Sequence, residues 1–365
     1  MPGYHLAASY HGASYHGASY HGASYHGASY HGASYHGPPQ LTVSRALTEW
    51  VLDPWALAVI LVLGVAYVAG VRRVRAGGQQ WPAGRVIAFC GLGLGFAVIA
   101  TMSFLAVYTP VLFYARAAQT VLMLLVVPLF LALGRPIGLA IAALPVAGPR
   151  IDRAIASRTA KVATFPAITT LVLVVTPFLV YFTSWYVAGF HSTLIRELTF
   201  LALMTPGFVF FWTLLRADPV PKAYPYVVSL WISAAEVIGD AVLGLAIIAD
   251  PNLIAAAYYH LVARPWGPSL ATDQVLGGGT IWVLGDIVGL PFLAAQLIQM
   301  IREDESDAKV VDAELDAADA KLAAARDGDG SSATGEHTPA AVQRPWWESD
   351  PRFAERFQPV DDGAD

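Results

Sequence analysis

The chain has 365 residues, of which 56% are hydrophobic and 13% charged, with a net charge of −5. Soluble domains carry about a quarter charged residues, so this composition excludes an ordinary water-covered globule and points to a membrane protein. Cys90 is the single cysteine, which excludes an internal disulfide.

The N-terminal stretch has neither a basic start nor a short apolar core with a cleavage site, so no signal peptide is expected. Instead, six perfect copies of Ala-Ser-Tyr-His-Gly run from Ala8 to Gly37 and hold six of the ten histidines. Residues 1–44 contain no Lys, Arg, Asp or Glu. This low-complexity arm is expected to be disordered and dispensable, although alternating His and Tyr in a Gly/Ser context can collect copper weakly.

About 20 apolar residues cross the hydrocarbon layer as a helix. Seven stretches qualify, at about 54–71, 86–107, 112–134, 166–188, 197–215, 225–249 and 275–301. The predicted fold is therefore an all-α integral membrane protein, a bundle of seven transmembrane helices over 45–301. Internal prolines such as Pro128, Pro177 and Pro206 are compatible with membrane helices, whose neighbours re-satisfy the freed carbonyls.

Eleven basic residues lie in the connections on one side: Arg72, Arg73, Arg75, Arg85, Arg135, Arg150, Arg153, Arg158, Lys161, Arg216 and Lys222. The other side has four, Arg45, Arg116, Arg196 and Arg264. The excess marks the cytoplasmic side. With seven spans the N-terminus is then expected outside a bacterial inner membrane and the C-terminus in the cytoplasm.

Charged groups inside spans are costly and face a bundle interior, a partner or a cavity. Span six carries Glu236 and Asp240 four residues apart, hence on one helical face, and span seven carries Asp286. Counted from the outer ends, Asp240 and Asp286 lie at depths of roughly 15 and 18 Å. Three carboxyls near one level suit a proton or cation site. They equally suit hydrogen bonding that holds the bundle together, with Arg116 or Arg196 as partners, and the neighbouring glycines favour close packing.

Nearer the outer ends, Arg116, Gln119 and Thr120 share a face of span three. His191 lies in a short turn before Arg196 and Glu197, and His260 in the longest outer loop. His191, His260 and Glu197 form the candidate copper or zinc set, set against the commoner reading of lone loop histidines as surface residues. No nucleic-acid module, phosphate-binding loop or nucleophile–base pair is evident, so neither a nucleic-acid partner nor an enzyme is expected.

After span seven, 302–365 holds 17 acidic and 7 basic residues. This acidic cytoplasmic tail is expected to be helical to about Arg326 and disordered beyond. Trp346, Trp347 and Phe353 stand out in it as a docking motif for a partner or the lipid bilayer interface.

From about Trp55 to Asp307 the chain resembles the multi-span CtaG-type cytochrome c oxidase assembly factors. The resemblance is carried by "GVRRVRAGGQQWPAGR", "QTVLMLLVVPLFLALGRPI", "FVFFWTLLRADPVP" and, most specifically, "DQVLGGGTIWVLGD". Asp273, Gln274, Gly277, Gly278 and Trp282 match the family pattern, and the acidic extension with "RPWWESDPRFAERF" is similar to the tails of actinobacterial members. The resemblance implies an integral membrane helper in maturing a haem–copper oxidase around its copper centres, with an oxidase subunit as partner. Where the family tends to carry His-x-x-Gln-His, this chain has Arg116, Gln119 and Thr120. Arginine stays protonated and offers no lone pair to copper. Copper binding is then either lost or moved to His191, His260 or the repeat arm. The rival to an assembly factor is a proton-coupled cation transporter or channel using Glu236, Asp240 and Asp286.

Overall fold

Apolar residues face outward along much of this molecule, as a bilayer requires. Val62, Leu171 and Ile287 are each more than 60% exposed, while Glu236, Asp240 and Gln274 are buried. The computed structural model describes residues 35–222 and 224–328. It is all-helical over them. In chain order the helices are α1 (Val43–Thr48), α2 (Pro54–Ala76), α3 (Ala83–Tyr108), α4 (Phe113–Leu133), α5 (Pro136–Ala143), α6 (Gly148–Ile155), α7 (Arg158–Ala163), α8 (Pro166–Phe182), α9 (Trp185–His191), α10 (Thr193–Leu215), α11 (Tyr226–Ala249), α12 (Ala256–Val262) and α13 (Leu270–Gly328).

Among the described residues, six helices are long and apolar enough to cross a membrane: α2, α3, α4, α10, α11 and α13. The stretch expected as one straight span over 166–188 is instead two helices, α8 and α9, bent by 69° across Thr183 and Ser184. Counted as one broken span, they bring the total to the seven expected. The chain divides into two compact units, one ending at Arg302 and one starting at Glu303. In the second, the described helical residues from Glu303 to Lys321 are almost all exposed.

Local chemistry starts these helices. Asp53 accepts hydrogen bonds from the amides of Trp55 (3.1 Å) and Ala56 (3.2 Å), Pro54 takes the first helical position, and Arg73 and Arg75 lie in the last turn of α2. Each device suits a helix terminus. Asp218 starts α5 from a distance, accepting from the amides of Ile137 (3.0 Å) and Gly138 (2.9 Å), with Arg135 at 3.5 Å. Burial pushes the Asp218 carboxyl above its ordinary range, although those amides and Arg135 pull the other way.

The core gathers on α4. Its turn at Leu122–Val126 widens to π-helix ahead of Pro128. Proline lacks the N–H that would bond the carbonyl four residues back, which here belongs to Leu124. Helix α10 approaches that spot through Gly207, where an added Cβ would fall 1.9 Å from the Leu124 carbonyl oxygen. Close approach through a small residue is how membrane helices pack. Helices α11 and α13 do the same, where a Cβ on Gly278 would lie 2.6 Å from the Gly244 carbonyl oxygen, and α13 meets α4 at Gly277, where one would lie 2.2 Å from the Phe113 ring.

Tyr35 to Leu41, counted with the repeat arm in the sequence, pack on the body. Tyr35 meets the Trp266 ring edge-on at 6.3 Å, and the Tyr108 hydroxyl donates to the Pro39 carbonyl at 2.9 Å. The other five repeat histidines lie outside the described residues, as do Trp346, Trp347 and Phe353.

Candidate functional site

Helix α4 begins at Phe113, and its first turns carry Arg116, Gln119 and Thr120, all three buried. What fixes this helix end is Asp273 of α13. Its carboxylate accepts from the amides of Phe113 (3.1 Å) and Tyr114 (3.2 Å), satisfying donors that a helix start leaves open. The same carboxylate pairs with Arg264 at 3.2 Å, both side chains being at most 2% exposed. Arg264 also donates to the carbonyls of Pro268 (2.9 Å) and Trp266.

Gln274 secures the neighbouring turn. It accepts from the Ile254 amide at 2.8 Å and donates to the carbonyls of Ile247 (3.1 Å) and Asn252 (3.2 Å). That turn leads into α12, where the Tyr258 hydroxyl donates to the Pro110 carbonyl at 3.0 Å. Gly277 makes room for the Phe113 ring, Gly278 for the backbone at Gly244, and the Trp282 backbone and Cβ lie against Gly244. The five motif positions are thus parts of one clamp that aligns α4, α11 and α12 on α13.

Inside the clamp lies an aromatic chamber. The Phe113 ring packs within 5.6–6.4 Å of Tyr181, Tyr186 and Tyr259. Tyr186 and Tyr259 share a hydrogen bond of 2.7 Å, and Thr120 lies 3.1 Å from the Tyr181 hydroxyl. The Thr120 hydroxyl also donates to the Arg116 carbonyl at 2.9 Å. Burial pushes the Tyr258 phenol up to about 12 and that of Tyr259 higher still, so both keep their protons.

Arg116 is 2% exposed. Its Nη1 donates to Gln119 Oε1 at 3.3 Å, and Gln119 Nε2 donates to the Ala100 carbonyl at 2.7 Å. The guanidinium lies over the rings of Phe190 (5.5 Å) and Tyr186 (5.8 Å). Beside it opens a cavity of about 190 Å³, walled in part by Asp53, Arg116, Gln119, Gly189 and Arg196. On the far wall Arg196 is bonded to Asp53 at 2.5 Å and to Glu197 at 3.2 Å.

The expected metal set does not assemble. His191 meets the Tyr258 ring edge-on at 5.9 Å, His260 is exposed, and Glu197 is engaged by Arg196. Among the described residues, no three His, Cys, Asp or Glu side chains gather as a group able to hold a metal.

Glu236 and Asp240 lie on one buried face of α11 with Ser229 and Ser233. A Cβ on Gly285 would be 2.5 Å from Asp240 Oδ2, and one on Gly289 3.1 Å from Glu236 Oε2, so both carboxyls sit against the turns of α13 around half-buried Asp286. The Ser233 hydroxyl donates to Gln296 at 3.1 Å. Neither Arg116 nor Arg196 forms an ion pair with these carboxyls, so the arginine partners suggested for them are not found among the described residues.

Sequence reading missed Asp53, Tyr181, Tyr186 and Tyr259. The Asp-Pro pair at Asp53 is a legible helix start, but its bond to Arg196, 143 positions away, left no trace in spacing.

A family model described as cytochrome c oxidase caa3 assembly factor matches residues 65–303, the bundle from α2 into α13. The chain belongs to that family. It is also similar to uncharacterised proteins of Mycobacterium bovis and Mycobacterium tuberculosis, each 29% identical over 298 residues, covering 77% of this chain and 45% of the relative. A third, from Mycobacterium leprae, is 29% identical over 275 residues, covering 72% of this chain and 41% of the relative. The chain thus spans less than half the length of these curated relatives. No solved structure matches it.

Proposed function

We propose that this chain promotes assembly of a caa3-type cytochrome c oxidase from within a bacterial cell membrane, by holding an oxidase subunit rather than by ligating copper in its own helices. The family match over the whole bundle carries the reading. The clamp supports it, since Asp273 and Gly277 meet the α4 end that carries Arg116, while Gln274, Gly278 and Trp282 tie α13 to α11 and the turn after it. The excess of eleven basic residues over four favours placing the Arg116 end outside and the acidic tail in the cytoplasm. The copper centres of the oxidase would mature at that outer face, with copper delivered by another donor or by the histidine arm. Trp346, Trp347 and Phe353 of the tail would offer a further contact for the partner.

Deleting the gene tests this. The oxidase should fall severalfold in activity and in copper per haem, and a tagged chain should retain an oxidase subunit through purification. Normal oxidase in the deletion strain would overturn the reading.

The buried polar face of α11 favours a second reading, proton or cation passage along Ser229, Ser233, Glu236 and Asp240. Glu236→Gln would then abolish flux into liposomes loaded with a pH or cation reporter. An assembly factor would show no flux with either form.

A further inference from the structure

We propose that the cavity beside Arg116 is a carboxylate-binding site, built on the open edge of the Arg116 guanidinium. This site stands whether or not the chain acts on an oxidase.

Arg116 has three sets of contacts to offer, and two are used. Its flat faces meet Phe190 and Tyr186, and Nη1 is taken by Gln119. Nε and Nη2 are buried and have no hydrogen-bond partner, and Arg116 makes no ion pair among the described residues. A buried unpaired charge is costly, and a chain carrying one in so well-packed a place leaves a reason to be found. Nε–H and Nη2–H point the same way from one edge of the guanidinium. That edge forms two parallel hydrogen bonds to a carboxylate.

Arg116 and Gly189 both line the cavity. A Cβ on Gly189 would lie 3.6 Å from Nη2, at ordinary contact distance, so this residue borders the unpaired edge. Its volume of about 190 Å³ holds a small carboxylate or the end of an acidic side chain.

The remaining wall chemistry selects the class of ligand. The Thr101 and Thr109 hydroxyls donate to their own helix carbonyls, at 2.8 and 2.6 Å, and the Gln119 amide donates to Ala100. Arg196 is engaged by both Asp53 and Glu197. What is left is Arg116, a cation with no ion pair of its own among the described residues, and its two coplanar donors. A monoanion with two coplanar oxygens satisfies both; a phosphate dianion would bring more charge than Arg116 neutralises and would face Asp53. A small free carboxylate and an Asp or Glu side chain of a partner segment share this chemistry.

The test is titration of the full chain in detergent micelles, followed by calorimetry and by thermal unfolding. The probes are sodium acetate and N-acetylglutamic acid α-amide, with sodium phosphate and sodium chloride at matched ionic strength. Acetate or the glutamate derivative should bind saturably and raise Tm. Tighter binding of the glutamate derivative assigns the site to a partner side chain, tighter binding of acetate to a free carboxylate. Arg116→Gln should weaken binding at least tenfold, and Arg116→Lys, which keeps the charge but loses the two-donor edge, should weaken it nearly as much. Gly189→Val leaves Arg116 in place and should weaken binding by narrowing the cavity. Equal responses to chloride and carboxylate, or an unchanged response in properly folded Arg116→Gln and Gly189→Val, would overturn the site.

Discussion

Two arginines, Arg116 and Arg264, both have almost wholly buried side chains near the same helix end, and only Arg264 has an acid beside it. Arg264 lies over the Trp266 ring and meets Asp273 at 3.2 Å and two backbone carbonyls, with Nε alone unmatched. Arg116 meets two aromatic faces and one neutral amide, with Nε and Nη2 unmatched. A buried charge with an acid and carbonyls around it is part of the framework. One held in place with an edge left open is poised for something that arrives.

The largest break in that contrast should come from Asp273→Ala. It strands Arg264 without its acid and opens the start of α4, and loss of one partner of a buried pair costs about 3–5 kcal/mol. A sharply lower Tm, or failure to purify the folded protein, is the expected outcome. Arg116→Met should act in the opposite sense. Unsatisfied buried donors cost about 1–3 kcal/mol, so in carboxylate-free buffer this variant should be as stable as the parent or more so by that amount. Thermal unfolding of both variants side by side checks the sign of each.

Smaller effects sharpen the picture. Tyr259→Phe removes one member of the 2.7 Å pair with Tyr186 and should cost about 1 kcal/mol, without changing the pairing of Arg264. Asp218 provides a pH signature at the other cap. Burial holds its folded-state pKa above the unfolded value, so the folded chain binds this proton more tightly. Its contribution to stability therefore improves as pH falls through the folded pKa and levels off below the unfolded one. Asp218→Asn should flatten that part of the pH–Tm curve.

Hydropathy made the spans legible because a bilayer demands long apolar runs, and it needed no knowledge of partners. It read through the bend between α8 and α9 because Phe182, Trp185 and Tyr186 keep the run apolar across Thr183 and Ser184. Arg116, Gln119 and Thr120 could be placed on one face from their spacing alone, and the structure puts all three in one buried chamber. The importance of Asp273 and Gln274 was visible from their family pattern, but their work as a cap on α4 and a tie to Ile254 spans 160 and 20 positions. Long-range polar contacts of this kind leave no periodicity. His191, His260 and Glu197 show the same limit in reverse: they share an end of the bundle, and each takes separate surroundings there.

The central claim is that this chain serves oxidase assembly through the Arg116 chamber and not through His191 and His260. The most direct measurement is oxidase activity in a deletion strain complemented with either His191→Ala/His260→Ala or Arg116→Gln, each checked for normal membrane levels. The account predicts near-normal oxidase with the double histidine variant and a severalfold loss with Arg116→Gln. Loss with the histidine variant and full function of Arg116→Gln would contradict it.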